Sequence, residues 1–169
     1  MDERIIPQPE DLSSHEKDDA MGAYLMVFAA LHIGLPLPFA GLGAAAIYHA
    51  LNGKKSPFTG FHTFQALILS IPTALFSVGW MVWGVMLLIQ NFQDRFTPVA
   101  ELRWFWWFTL FNVGMYLLYV VVCIVGAVRA RRGRLVYFPG TGVWAFRRYF
   151  GPAASQNKQQ ERNEPPKGY

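Results

Sequence analysis

From residue 20 to residue 128 the chain is almost continuously apolar, and its charges fall in two short breaks, Lys54-Lys55 and residues 94–103. That pattern decides the solvent. A charge at the centre of a membrane span costs at least ~2.5–3.5 kcal/mol, so spans lie where charges stop. The expected fold class is therefore all-α, a polytopic membrane helix bundle of about four transmembrane helices. A short proline-split hairpin would come first, followed by two long helices. The aromatic fraction of 16% is high enough to furnish belts at the membrane interfaces as well as a core.

The hairpin follows from length. One helix over residues 20–51 would rise about 45 Å, against a hydrocarbon core of about 30 Å. Pro36 and Pro38 divide that run, because proline removes an amide donor and restricts the residue before it. Two short helices are expected, near residues 20–35 and 38–51. Either could be tilted or partly re-entrant. The second is rich in Ala and Gly between Ala40 and Ala46, which lets helix backbones approach closely in lipid.

Asn52-Gly53-Lys54-Lys55-Ser56-Pro57 then stops one helix and starts another, with Ser56 as N-cap and Pro57 at the first helical position. The third helix is expected over about 57–91, with a kink at Pro72 and its first two turns in the headgroup layer or beyond. The fourth runs over about 100–131, and Trp104, Trp106 and Trp107 at its start form an aromatic belt. Residues 1–19 read as an acidic mobile tail or a short surface helix, 135–150 as an interfacial aromatic and basic segment, and 151–169 as a disordered tail. No basic n-region precedes an apolar run, so no cleaved signal peptide is expected.

Charge sets the orientation. Four crossings with both termini cytoplasmic place Lys54-Lys55 and the arginine cluster on the same side, as the positive-inside tendency requires. Multi-pass insertion in a bacterial inner membrane is the matching location. Arg129, Arg131, Arg132, Arg134, Arg147 and Arg148 are expected at lipid headgroups, which makes membrane lipid the first partner and leaves no role for nucleic acid.

The candidate functional residues are sparse. Thr63, Ala66, Ser70, Thr73, Ser77 and Gly84 recur at helical spacing on the third helix and form one face of small, weakly polar side chains. In lipid such a face packs against another helix; lined by hydroxyls, it is alternatively a path through an oligomeric channel or transporter. His62 and Gln65 lie one turn apart, as a hydrogen-bonding pair does. The histidines lack metal-ligand spacing, and Cys123 is the only cysteine, so neither a metal nor another cofactor is expected. No nucleophile–base constellation occurs, and no carboxylate lies within a proposed span.

Ser56-Pro57-Phe58, His62 and Gln65-Ala66-Leu67, followed by Ala127, Arg132-Gly133 and Tyr137-Phe138-Pro139, resemble two segments of the DUF4870 and Tic20-like small membrane proteins. The resemblance covers about residues 26–148 and implies a four-helix membrane domain whose plastid relatives serve protein import. Together these readings predict a non-catalytic membrane protein, a scaffold or accessory subunit. Its partners would be other integral membrane proteins or further copies of itself, and its work translocation or complex assembly.

Overall fold

The computed structural model describes residues 6–32, 39–92 and 99–151. Among them are five α-helices and no strand: α1 (Ser14–His32), α2 (Ala40–Asn52), α3 (Pro57–Phe92), α4 (Val99–Arg131) and α5 (Thr141–Phe150). The all-α expectation holds. Two helices, α3 and α4, are long and apolar enough to cross a membrane. At 13 residues α2 rises only about 20 Å, too short for a hydrocarbon core of about 30 Å. Among the described residues, then, two helices and not four meet the length for a full crossing.

The start of α1 differs most from expectation. The helix begins at Ser14, inside the segment read as tail, because Ser13 and Glu16 form a capping box. The Ser13 amide donates to Glu16 Oε2 at 3.0 Å, and the Glu16 amide donates to Ser13 Oγ at 3.2 Å. Two orphan donors of the first turn are satisfied reciprocally. The Ser-x-x-Glu pattern was present in the sequence and outweighs the charge density that suggested a tail.

Helix α1 runs antiparallel to α4, with an Asp18–Arg131 ion pair at one end. Farther along, the Tyr24 ring lies against Gly126 so closely that a Cβ there would fall 2.7 Å from it. Helix α2 returns beside α3, where His49 meets Thr63. Helices α3 and α4 pair antiparallel, with Trp80 bonded to Thr109 and Gly84 against Phe105. Eight residues beyond Tyr24 on α1, and eight before Gly126 on α4, bring His32 to the height of Ile71 and Pro72 in α3. Ala40 starts α2 at the same height. Among the described residues, helices α1 to α4 therefore lie side by side from the charged end to Pro72, and only α3 and α4 continue beyond it.

Pro72 does not end α3, which continues as one helix to Phe92. In the two-helix part Leu75, Val82, Met86, Leu88 and Ile89 on α3 are exposed, as are Trp104, Leu110, Leu117 and Leu118 on α4. Such surface is tenable only in lipid or against another apolar partner. The buried core lies at the opposite end, around Tyr24, Phe58, Phe61, Cys123, Phe146 and Phe150. Helix α4 ends at Gly133, whose φ of 72° admits the left-handed turn that folds the Arg134 amide back onto the Arg129 carbonyl at 3.0 Å.

Within the segment read as interfacial, aromatic and basic, residues 141–150 form α5, packed on the first turns of α3. The expected Pro36–Pro38 turn, the 93–98 part of the second charged break and the 152–169 tail lie outside the described residues.

Partial burial raises the Glu16 pKa, but hydrogen bonds from the Ser13 amide and hydroxyl outweigh it and hold the carboxyl below its ordinary value. A lowered folded pKa contributes stability above the unfolded value of 4.5, and that stability is lost as pH falls through the folded value. Glu16→Gln is therefore expected to lower the melting temperature of the detergent-solubilised chain at pH 7, by less than about 1 kcal/mol equivalent. Melting curves at pH 7 and well below pH 4.5 check this, with the difference disappearing in acid.

Candidate functional site

The first ten residues of α3, Pro57 aside, are buried on every side: Phe58, Thr59, Gly60, Phe61, His62, Thr63, Phe64, Gln65 and Ala66. Helices α1, α2 and α5 surround them. The sequence reading placed these turns against headgroups; the structure makes them protein interior. A helix enclosed on all faces needs partners for each polar side chain, since an unmatched buried donor or acceptor costs about 1–3 kcal/mol.

Most of those partners are present, while His62 Nε2 is buried without a hydrogen-bond partner among the described residues. Tyr24, the largest polar-tipped residue in the apolar part of α1, is fully buried, and its hydroxyl donates to Gln65 Oε1 at 3.0 Å. The same oxygen lies 3.1 Å from His62 Nδ1. A phenol has one proton, which goes to Gln65 in this arrangement, and the His62 ring completes the three-residue contact. The Gln65 amide reaches Thr141 Oγ1 at the start of α5, at 3.5 Å. Phe58 and Phe61 close the site, with edge-on contacts to the His62 ring at 4.6 and 5.0 Å between centroids.

One turn away a second bond joins α2 to α3. Thr63 Oγ1 donates to the Gly60 carbonyl at 3.1 Å, so His49 donates from Nδ1 to Thr63 at 2.9 Å. Arg148 of α5 lies over the Phe64 ring, 4.6 Å from its centroid, and Trp144 and Tyr149 flank the same ring. His49 and His62 thus face different partners instead of converging on one point.

The expected stripe divides along its length. Thr63, Ala66, Ser70 and Thr73 are buried in the four-helix part, whereas Ser77 and Gly84 are half-buried between α3 and α4. Ser70 donates to the Leu67 carbonyl at 2.6 Å and Thr73 to the Ser70 carbonyl at 2.9 Å, so both hydroxyl protons return to their own helix. The small-residue face of α2 is only partly used: Ala45 is buried, while Gly43 and Ala46 are exposed and open space lies beside Gly41 and Gly43.

All six arginines are exposed and belong to the charged end. They are not equivalent. Arg131 is paired with Asp18 and Arg148 lies over Phe64, while Arg129, Arg132 and Arg134 extend from the end of α4. Asp19 accepts from Lys55 at 2.9 Å and lies 3.2 Å from His15. The Lys54-Lys55 pair and the arginine cluster therefore share one end of the bundle.

Residues 16–146, from the first turn of α1 to the middle of α5, match the model of the magnetosome magnetite crystal formation protein family, MamF_MmsF. The chain belongs to that family. The matched span contains the whole Tyr24–His62–Gln65–Thr141 network, so the buried site lies within the part that the MamF_MmsF family describes. This match overturns the DUF4870 and Tic20-like resemblance and, with it, the suggested link to protein import. The structure explains why those short motifs misled. Ser56-Pro57 and Arg132-Gly133 are helix-boundary chemistry, an N-cap with proline and a left-handed C-terminal turn, which many small helical proteins need. No curated protein and no solved structure matches the chain.

Tyr24→Phe removes the hydroxyl that joins α1 to both polar residues of α3, leaving buried groups on His62 and Gln65 unmatched. A loss of about 1–3 kcal/mol is expected. Chemical denaturation in mixed micelles measures it, and His62→Leu should cost less when combined with Tyr24→Phe than in the wild type.

Proposed function

We propose that this chain is a non-catalytic structural protein of the membrane that surrounds a forming magnetite crystal. The observation that carries the reading is the inward turn of its polar chemistry. Tyr24, His49, His62, Thr63, Gln65 and Thr141 bond to one another between helices, while the outer faces of α3 and α4 are apolar. Such a molecule offers its neighbours a stiff, lipid-compatible surface. The family assignment supplies the setting, magnetite crystal formation in a magnetosome.

In this reading α3 and α4 cross the bilayer. The α1–α2 hairpin enters from the charged end and turns back near the height of Pro72 without crossing. Both termini and both cationic groups then share the cytoplasmic side, in accord with the positive-inside tendency. Arg129, Arg132, Arg134 and Arg147 meet headgroups there, and Arg131 holds α1 to α4 through Asp18. Ser70 and Thr73 serve packing, because their hydroxyl protons already bond to α3 carbonyls, which favours a scaffold over a hydroxyl-lined path. Other integral membrane proteins, or further copies of this chain, are the partners for the two-helix part.

Deleting the gene from the source cell is expected to leave membrane vesicles in place and reduce crystal diameter, with restoration by the wild-type chain. Electron microscopy of crystal size decides this, and unchanged crystals in the deletion strain would remove the proposal. Topology is read separately, using an impermeant thiol reagent on variants in which Cys123 is replaced by Ala. A cysteine at Lys54 should label from the cytoplasmic side, one at Phe92 from the opposite side, and one at Ala40 from neither. Labelling of Ala40→Cys from the side that reaches Phe92 would establish four crossings instead.

A further inference from the structure

At the far end of the molecule, Leu102, Arg103, Trp106, Trp107 and Leu110 line an open groove of about 330 Å³ along one face of α4. Their spacing by three and four residues keeps them on one side of the helix. Arg103 stands at the end nearer the charged break, the two indoles form the walls, and Leu110 lies two turns deeper toward the membrane centre. Among the described residues Arg103 makes no ion pair.

The height of the groove determines what can cover it. The described ends of α1 and α2 are level with Ile71 and Pro72, whereas Thr109 is already level with Trp80 and Arg103 lies farther out still. No described helix except α3 reaches this height. The cationic cluster at the other end is also out of reach, since the 26 residues from Arg103 to Arg129 rise about 39 Å.

A guanidinium at the membrane border can bind phosphate oxygens with two parallel hydrogen bonds. Indoles belong at the depth of the glycerol esters, where one edge is wet and the other apolar. A leucine-lined trough leading inward suits an acyl chain. We propose that this groove holds one anionic glycerophospholipid of the leaflet opposite the arginine cluster, its phosphate on Arg103 and one acyl chain along Trp106 and Leu110. The inference rests on α3 and α4 crossing the bilayer and not on any role in crystal formation, so crystal size and lipid retention are read independently.

The test is native mass spectrometry of the full chain in detergent, titrated separately with phosphatidylglycerol and phosphatidylcholine. Wild type is expected to retain one phosphatidylglycerol, in preference to phosphatidylcholine. Arg103→Gln should weaken phosphatidylglycerol retention about tenfold, the scale of one charge-assisted contact, and should abolish the preference. Leu110→Trp, which fills the trough, should weaken retention of both lipids. Arg132→Gln at the opposite end should leave the preference in place, and circular dichroism confirms that each variant is folded. Equal retention by wild type, Arg103→Gln and Leu110→Trp overturns the proposal. So does a loss confined to Arg132→Gln, or competition by inorganic phosphate alone. A dimer peak that Leu110→Trp removes would make the groove a contact between copies and would equally overturn it.

Discussion

The hydroxyl of Tyr24 joins helices that have little else polar to hold them together. In water, apolar helices associate because water is excluded; between lipid chains that driving force is absent, and packing with a few hydrogen bonds replaces it. Tyr24 touches His62 and Gln65, and Gln65 continues to Thr141, so one connected set of side chains spans α1, α3 and α5. His49 and Thr63 add α2 to the same turns of α3. Each bond is modest, yet none of these groups has a solvent to return to. Leaving one unmatched costs more than making the bond gains.

That constraint explains the uneven thickness of the molecule. The four-helix part holds the buried polar residues and the large aromatic core, with Phe58, Phe61 and Phe146 fully enclosed. The two-helix part carries interhelical contacts of another kind, aromatic stacking between Trp80 and Phe105 and one hydrogen bond from Trp80 to Thr109. Polar side chains cluster where there are enough helices to surround them. Beyond Pro72, where among the described residues only α3 and α4 remain to shield one another, most of the exposed side chains are apolar.

Electrostatics orders the same axis. Asp18 and Asp19 at the start of α1 meet Arg131 and Lys55, so the acids that give the N-terminal segment its character hold it to the basic end of the bundle. These pairs are exposed and individually weak. Their effect is positional: they keep the polar start of α1 at one level, and the apolar turns that follow carry Tyr24 to the depth of His62. The family to which the chain belongs is that of magnetosome magnetite crystal formation, and its matched span runs from this charged end of α1 into α5.

Much of the architecture was legible in residue order. Charge-free length specified α3 and α4, Gly53 and Ser56-Pro57 marked helix ends, and the basic residues were assigned to one end, because each of these depends on local chemistry or on a sum along the chain. The start of α1 was also legible through Ser13 and Glu16, although charge density hid it. Tertiary structure alone decided the rest. Nothing in spacing joins Tyr24 to His62 across 38 positions or Gln65 to Thr141 across 76, since periodicity reports which face a residue occupies and not which helix comes to meet it. The enclosure of the first turns of α3 likewise depends on α5 folding back over them. Sequence determines where a chain of this kind is polar; only packing determines which polar groups find one another.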